Sequence, residues 1–322
     1  MEIRHITQSD DLFESALRDN SIDKLKKVAK SDLHSHAGRG GTISYISNWA
    51  NVKILPPQNK FNSLTEMNEW LNANVKCYCN GINGYIKRIE AAFVQAHMDS
   101  IHVLAMSYGV DEISLLGGMK EFVQIMNNLH YKYACNTKFF PDLAIGYSKD
   151  EENMLDEILS FNWFKGIDIM NYAENYTIKE LKKICDKAKK YGLILKAHIG
   201  EFDNPDSVMR YAEELGLDEI QHGVAAAKSP QVMRWLEKHK IQLNICPTSN
   251  VMLQVCENYR DHPIRVLFDY GILMSINTDD LLIFNSSVSE EYLHLFNSGI
   301  MKPDELNFIR KNGLNHNYTL NL

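Results

Sequence analysis

The chain has 322 residues, of which 45% are hydrophobic, so it is long enough to bury a large core in one or two domains. Its 34 Lys and Arg residues against 41 Asp and Glu residues give a net charge of -7. A surface built to neutralise nucleic-acid phosphates would be basic, so nucleic acid is not expected as a partner. The sequence lacks a signal-peptide pattern, and no window approaches the ~20 apolar residues of a membrane span. We therefore expect a soluble, cytoplasmic protein with no membrane partner.

The first predicted elements lie before residue 100. Residues 10–29 carry an amphipathic helical pattern, and "KSDLHSH" at residues 30–36 predicts the first strand. Residues 42–100 are too many for a simple connection between a strand and the next helix, and they contain helical patterns of their own. We therefore predict a helical insertion over residues 42–100, placed after strand 1 and covering a pocket.

Seven further strands are predicted from about residue 100 onwards, where short β-branched runs alternate with longer, charged, periodic segments. They are "IHVLAMSY" (101–108), "FFPDLAIGY" (139–147), "KGIDIMNY" (165–172), "LILKAHIG" (193–200), "EIQHGVA" (219–225), "IQLNICP" (241–247) and "ILMSINTD" (272–279). One intervening helix repeats Leu181, Ile184 and Ala188 at helical spacing. With the first strand there are eight, the number that closes a barrel. The sequence therefore predicts an α/β fold, a single (β/α)8 TIM-barrel domain over residues 1–322.

Side chains able to bind a metal stand at several predicted strand ends, which meet on one face of a barrel. Strand 1 ends in His34-Ser35-His36, and both imidazoles point to the same side of an extended chain. Strand 5 ends in His198 and strand 8 in Asp279. Three imidazoles and one carboxylate suit Zn²⁺ and leave room for a water, although Fe²⁺, Co²⁺ or Mn²⁺ would also accept them. We predict one zinc ion per chain at these four side chains.

The other strand-end residues have the chemistry for proton transfer beside such an ion. His222 ends strand 6 and is placed to act as a base toward a zinc-bound water, whose pKa is about 7. The alternative is a core histidine bonded to the backbone. Glu201 lies three residues beyond His198 and either carries a proton to a substrate or is a solvated carboxylate at a helix start. Asp280 either bonds the substrate or caps the next helix.

Six short motifs resemble those of the adenosine deaminases, a family within the metal-dependent amidohydrolases. They occur in family order: "DLHSH" (32–36), "GID" (166–168), "AHIGE" (197–201), "QHG" (221–223), "CPTSN" (246–250) and "NTDD" (277–280). The combination of "HxGE", "CPTSN" and "NTDD" is specific to this family. Two-metal relatives usually place a carboxylated lysine at the end of strand 4, where this chain has "IDIMNY", so a single metal is expected.

The resemblance implies zinc-dependent hydrolytic deamination of a 6-aminopurine nucleoside, adenosine or deoxyadenosine, to the 6-oxopurine and ammonia. It implies that Glu201 donates a proton to N1 of the purine and that Asp280 bonds N7. His222 would orient and deprotonate the zinc-bound water. The ligand His36 would also face the substrate.

The sugar side departs from the family pattern. After the HxH pair the family usually continues Leu-Asp-Gly, with the aspartate contacting the ribose, whereas this chain has Ala37-Gly38-Arg39. A guanidinium flanked by glycines suits an anion, so one hypothesis makes Arg39 the phosphate ligand of a nucleotide such as AMP or dAMP. The alternative is that Arg39 pairs with a carboxylate of the helical insertion. Asn171 stands where the family commonly has a purine-contacting glycine and is a further candidate substrate residue.

Three classes of function remain open on the sequence. The first is an aminohydrolase of adenosine or deoxyadenosine. The second deaminates a nucleotide, adenine itself or a modified purine nucleoside. The third is a non-catalytic family member, which should have lost at least one of the seven residues predicted to bind the metal or act on the substrate. All seven are present: His34, His36, His198, Glu201, His222, Asp279 and Asp280. A small-molecule purine nucleoside or nucleotide is the expected partner, and the sequence makes no prediction of the oligomeric state.

Overall fold

The computed structural model describes residues 2–170 and 175–316, and its centre is one parallel sheet of eight strands in chain order. The strands are β1 (Lys30–His36), β2 (Ile101–Gly109), β3 (Lys138–Ile145), β4 (Gly166–Ile169), β5 (Ile194–Ile199), β6 (Glu219–His222), β7 (Gln242–Ile245) and β8 (Met274–Ile276). Within the described ranges no helix has the length and apolar character that a membrane crossing needs.

Helices surround this sheet. Those before β2 are α1 (Glu2–Arg18), α2 (Ile22–Leu25), α3 (Ile43–Ala50), α4 (Leu64–Asn74) and α5 (Gly81–Met98). Those between β2 and β6 are α6 (Val110–Leu115), α7 (Met119–Ala134), α8 (Glu151–Ser160), α9 (Ile178–Lys190) and α10 (Pro205–Leu215). Those after β6 are α11 (Pro230–His239), α12 (Pro247–Met252), α13 (Ile264–Asp269), α14 (Leu281–Phe284), α15 (Val288–Asn297) and α16 (Pro303–Leu314). Short 3₁₀ turns occur at Ala37–Arg39, Lys76–Tyr78, Val224–Lys228 and Tyr259–Asp261.

The barrel closes between β1 and the segment that follows β8. Ser35 and Asp279 form a parallel bridge. The backbone N–H of His36 donates to the carbonyl of Asp279 (3.1 Å), and the N–H of Asp279 donates to the carbonyl of His34 (3.0 Å). Eight parallel strands with helices between them and this closure confirm the predicted (β/α)8 TIM barrel.

Helix α9 shows how local sequence builds the outer layer. Thr177 and Glu180 form a capping box, in which the Thr177 hydroxyl accepts from the N–H of Glu180 and the Glu180 carboxylate accepts from the N–H of Thr177. Leu181, Ile184 and Ala188, at the predicted spacing, are buried in the main core. The last turn carries three lysines, whose positive charges interact favourably with the negative, C-terminal end of the helix dipole and so stabilise the helix.

The N-terminal helices pack at the surface of the barrel. Phe13 of α1 and Leu25 of α2 are buried in the main core, and Arg310 of α16 donates to Asp10 of α1 at 2.7 Å. The amphipathic pattern of residues 10–29 is therefore two helices, and the first of them begins earlier, at Glu2.

The chain between β1 and β2 has its own apolar cluster beside the strand ends. Helices α3, α4 and α5 all lie within residues 42–100. The cluster joins this segment to α14 and contains, among others, Ile43, Ile46, Met67, Leu71, Leu282, Ile283 and Phe284. Because α14 begins only a few residues after β8 ends, the cluster holds α4 next to the carboxyl-terminal face of the barrel.

The strands β3 to β8 all end before their predicted boundaries, and at or shortly after the ends of β6 and β8 the backbone turns sharply. β6 was expected to reach residue 225 but ends at His222, whose φ is 61°. β8 was expected to reach residue 279 but ends at Ile276, and Asp279 has a φ of 59°. Such values lie in the left-handed region, which no extended strand contains and which non-glycine residues seldom adopt. Both predicted site residues therefore lie where the regular backbone stops.

Candidate metal centre and active site

The four predicted metal ligands reach one region at the carboxyl ends of the strands. One ring nitrogen from each of His34, His36 and His198 lies within 4.8 Å of the other two. Oδ1 of Asp279 lies 3.1 Å from Nε2 of His36 and 3.4 Å from Nε2 of His34. The structure thus brings together side chains from β1, β5 and the segment after β8.

These donor atoms fit a divalent metal ion. His34 is only 1% exposed, and neither of its ring nitrogens makes a hydrogen bond among the described residues. The same is true of Nε2 of His198. Burial lowers the pKa of His34, which favours the neutral imidazole that a metal requires. Buried ring nitrogens normally have partners, so unpaired ones beside the carboxylate of Asp279 form a donor set that zinc accepts.

Asp168 on β4 fixes the orientation of His198, a role that the sequence did not reveal. Its Oδ1 lies 3.1 Å from Nδ1 of His198, and its Oδ2 accepts from Ser107 Oγ (2.7 Å) and Gln221 Nε2 (3.1 Å). Burial alone would raise the pKa of Asp168, but His198 outweighs it and holds that pKa far below its usual value. An ionised Asp168 accepts only, so Nδ1 of His198 carries the proton and Nε2 is left for a metal. The sequence feature that could have revealed this role is the acidic residue inside the otherwise apolar strand "GIDI".

Glu201 enters the same pocket through a tight turn after β5. Gly200 has a φ of 77°, and a Cβ at this position would lie 2.5 Å from Val208 and 3.2 Å from Gly223, so the turn needs glycine. Burial, together with the negative charges of Asp279 and Asp280, raises the pKa of Glu201 well above its ordinary value. Its Oε1 has no hydrogen-bond partner among the described residues. The surroundings of Glu201 therefore favour the protonated carboxyl group, and its Oε1 is presented to the pocket.

His222 stands beside Glu201 and is neutral. Its Nε2 lies 3.7 Å from Oε2 of Glu201 and 3.9 Å from Oδ2 of Asp279. Burial lowers the pKa of His222 well below its ordinary value. Its Nδ1 faces the side-chain amide of Asn250 at 3.4 Å. The sequence predicted the position of His222 but not this contact, although Asn250 belongs to the "CPTSN" motif.

Asp280 and Arg39 form an ion pair at the mouth of the pocket. Arg39 donates to Oδ2 of Asp280 at 2.8 Å and to Oδ1 of Asn68, on α4, at 3.0 Å. The alternative in which Arg39 pairs with a carboxylate of the helical insertion is therefore wrong, since its carboxylate partner follows β8 and the insertion supplies an amide. Asp280 makes no side-chain capping bond to α14, and its Oδ1 is buried without a partner among the described residues.

Two adjoining cavities open on these residues. The first, of about 400 Å³, is lined by His198, Glu201 and Asp280 among others. The second, of about 530 Å³, extends past Gly38 and Glu112. The two share the residues His36, Arg39 and Tyr147. The remaining candidate, Asn171, lies outside the described residues.

Comparison with protein families and curated proteins gives one consistent result. Residues 165–319 match the family model described as adenosine deaminase. A Treponema pallidum protein, provisionally assigned as an adenosine/adenine deaminase, is 28% identical over 285 residues, which cover 87% of this chain and 95% of the relative. The adenosine deaminase of Clostridium kluyveri is 24% identical over 323 residues, which cover 91% of this chain and 90% of the relative.

Solved structures agree with the barrel. Adenine deaminase from Arthrobacter aurescens superposes with a TM-score of 0.76 at 18% identity, covering 91% of this chain and 94% of that one. The Arabidopsis N6-mAMP deaminase gives a TM-score of 0.76 at 15% identity, covering 92% of this chain and 94% of that one. At these identities the likeness concerns the fold. The family model over the second half of the chain and the curated relatives over most of its length thus agree in their likeness to adenosine deaminases, which supports a deaminase of adenosine- or adenine-type substrates.

Proposed function

We propose that the protein catalyses the zinc-dependent hydrolytic deamination of a 6-aminopurine nucleoside, adenosine or deoxyadenosine. The products are the 6-oxopurine nucleoside and ammonia. One zinc ion per chain would be held by His34, His36, His198 and Asp279. The observation that carries this proposal is the buried carboxyl group of Glu201, whose pKa is raised well above its ordinary value, in the same pocket as this donor set.

A bound zinc ion supplies Lewis-acid chemistry, lowering the pKa of water to about 7 and so providing a nucleophile at neutral pH. The chain supplies the remaining groups. Glu201 donates its proton to N1 of the purine, which makes C6 more electrophilic and favours addition of the water oxygen. Of the two protons of the attacking water, one returns to the Glu201 carboxylate and the other goes to N6, so that the C6–N6 bond breaks, C6 becomes a carbonyl carbon and N6 leaves as ammonia. Oδ1 of Asp280, the oxygen that Arg39 leaves without a partner, would face N7 of the purine, while Arg39 holds Oδ2.

The second cavity supports a substrate with a sugar. Gly38 takes the position of the family's ribose-contacting carboxylate, but Oε1 of Glu112 lies 3.2 Å from where a Cβ of residue 38 would be. The other oxygen of Glu112 is fixed by the backbone N–H of Gly109 at 2.9 Å. A carboxyl oxygen at this place accepts hydrogen bonds from sugar hydroxyls. Glu112 of helix α6 would thus take over the sugar contact that an aspartate at residue 38 makes in the family.

The test is ammonia release from adenine, adenosine, deoxyadenosine, AMP and dAMP, with and without a chelator. We expect the nucleosides to react fastest and the chelator to abolish the reaction. Glu112→Gln should lower kcat/KM for adenosine by about 10-fold or more, as expected for a lost bond to a charged group, and leave adenine unaffected. Ammonia release from none of the five compounds would refute the proposed substrate class.

A nucleotide substrate is the second candidate, and Lys76 is the observation that favours it. Lys76 lines the second cavity together with Arg39 and Arg88, and among the described residues no hydrogen bond or ion pair uses its ammonium group. Burial lowers the pKa of Lys76, and the charges of Arg39 and Arg88 add to this effect. A wall with three cations, one of which is the unpaired ammonium group of Lys76, suits a phosphate.

The AMP-to-adenosine ratio of kcat/KM tests this candidate in Arg39→Ala and Lys76→Ala. The exposed Lys53 of the insertion provides the control, Lys53→Ala. A phosphate site predicts that both pocket variants lose AMP turnover selectively while the control does not. An unchanged AMP-to-adenosine ratio of kcat/KM in both pocket variants would rule out a nucleotide as the substrate.

A further inference from the structure

A buried chain of hydrogen bonds leads from His222 away from the proposed reaction site. Nδ1 of His222 faces Nδ2 of Asn250 at 3.4 Å, and Oδ1 of Asn250 faces Nε2 of His262 at 3.1 Å. The chain ends at the backbone N–H of Ile264, which donates to Nδ1 of His262 at 3.0 Å. His222, Asn250 and His262 are 1%, 0% and 2% exposed. Neither Asn250 nor His262 has a role in the reaction described above.

The direction of every bond in this chain follows from its last member. A backbone N–H can only donate, so Nδ1 of His262 must be an acceptor. Burial lowers the pKa of His262 to about 3, so the ring is neutral and its single proton lies on Nε2. Nε2 then donates to the oxygen of Asn250, which leaves the amide nitrogen of Asn250 to donate to His222. Nδ1 of His222 is therefore an acceptor.

We propose that Asn250 and His262 lock His222 in the tautomer that carries its proton on Nε2, the nitrogen that faces Glu201 and Asp279. In the proposed deamination, on which this assignment of role rests, His222 is then a hydrogen-bond donor at the reacting centre. A fixed donor stabilises negative charge that develops on the attacking oxygen. The same nitrogen cannot at once accept the proton of that oxygen, so the role of base implied by the family resemblance does not fit this geometry.

The opposite tautomer would reverse the first two bonds of the chain and break the third. A proton on Nδ1 of His222 requires the oxygen of Asn250 to face it, which turns the amide nitrogen toward His262. His262 must then accept at Nε2 and carry its proton on Nδ1. Two donors, that Nδ1 and the N–H of Ile264, would oppose each other at 3.0 Å in a buried site.

The tautomers can be observed directly in the wild-type protein. Long-range ¹H–¹⁵N correlation spectra of protein labelled with ¹⁵N-histidine distinguish the two neutral forms and the charged form. We expect both His222 and His262 to show the Nε2–H pattern, in the metal-free and in the zinc-loaded protein. Their signals are assigned by their loss in His222→Gln and His262→Gln. A His222 signal with the proton on Nδ1, or with both nitrogens protonated at neutral pH, would overturn the proposal whether or not any purine is deaminated.

Variants of the lock test its consequence for the reaction. An aspartate at residue 250 accepts only, so Asn250→Asp should move the proton of His222 to Nδ1 and lower kcat about 100-fold, the cost of one lost transition-state donor, with little change in KM. Asn250→Leu imposes neither tautomer and should cost less than Asn250→Asp. An equal loss in both variants, with the Nε2–H pattern of His222 retained, would mean that Asn250 acts only through packing.

His262 offers a conservative rescue. A glutamine amide can donate to Asn250 and accept from Ile264 as the imidazole does, whereas phenylalanine can do neither. We expect His262→Gln to keep most of the wild-type kcat and the tautomer of His222, and His262→Phe to lose both. Wild-type kcat in His262→Phe would contradict the proposed chain.

Discussion

Replacing Asp168 with asparagine is expected to weaken zinc binding by about 10- to 100-fold, or about 1.4 to 2.7 kcal/mol. Oδ1 of Asp168 lies 3.1 Å from Nδ1 of His198, and Oδ2 accepts from Gln221 at 3.1 Å. An amide can put its oxygen at only one of these places. If the amide nitrogen faces His198, the imidazole proton must move to Nε2, the proposed ligand atom. If it faces Gln221, two N–H donors oppose each other, because the oxygen of Gln221 already accepts from Asn244.

The assay is a competitive titration of the metal-free protein with zinc against a fluorescent chelator at fixed pH. Ser107→Ala is the matched control, since it removes one bond to Oδ2 and leaves the carboxylate beside His198. We expect its zinc affinity to fall by less than 10-fold. Thermal unfolding of the metal-free forms shows whether both variants are folded. Equal zinc affinities for folded Asp168→Asn and the wild type would refute the idea that this carboxylate fixes the tautomer of His198.

Three further predictions concern metal uptake, turnover and stability. Burial opposes protonation of His36, but the charges of Asp280 and Asp279 outweigh burial and raise the pKa of His36 to about 9. Zinc must then displace a proton from His36, so the zinc affinity should rise about 10-fold between pH 7 and pH 8. A zinc affinity that does not change with pH would contradict this. Glu201→Gln removes the proton donor and should lower kcat by about 100-fold or more at unchanged zinc content. Near-normal turnover in this variant would show that Glu201 is not the proton donor. Lys196→Met leaves the buried carboxylate of Asp142 without its cation and takes one of several partners from Glu219, so it should lower the free energy of unfolding by about 3 to 5 kcal/mol in a urea titration. A loss below about 1 kcal/mol would be inconsistent with the ion pair to Asp142.

The barrel and the meeting of the site residues could be predicted because both depend on short-range pattern. Side chains two residues apart on a strand share one side, so His34 and His36 had to point together. The carboxyl ends of parallel strands share one face of a barrel, so His198 and Asp279 had to approach them once the strands were counted correctly. Neither inference needs the angle of a side chain or the partner of a hydrogen bond.

The contacts that orient these residues could not be predicted in the same way. Asp168 and His198 stand on neighbouring strands, but whether an acidic side chain meets an imidazole depends on the register between β4 and β5 and on both rotamers. The pairing of Arg39 with Asp280 joins residues 241 positions apart. The bond from His262 to Asn250 depends in addition on which way an amide is turned, which only the donors and acceptors around it decide. Tertiary packing sets all of these.

The two outermost motifs in the sequence are joined by barrel closure. The side chain of Asp32, in "DLHSH", accepts from the N–H of Thr278 (3.2 Å) and from its hydroxyl (2.6 Å), in "NTDD". The N–H of Leu33 donates to the side-chain oxygen of Asn277 at 2.7 Å. These bonds are buried, and each joins residues more than 240 positions apart in the chain. The two motifs therefore form one structural unit, although they lie at opposite ends of the barrel sequence.

This unit holds the proposed metal ligands in place by means of backbone bonds. Asp279 adopts a left-handed conformation that is costly for a residue with a side chain, and it persists because its N–H and carbonyl are both bonded to β1, at His34 and His36. The same three residues direct their side chains into the metal region. The distances between these ligands are thus fixed by the closure of the barrel itself. A metal ion would enter a site that is already assembled, so the ordering of the ligands costs little when the ion binds.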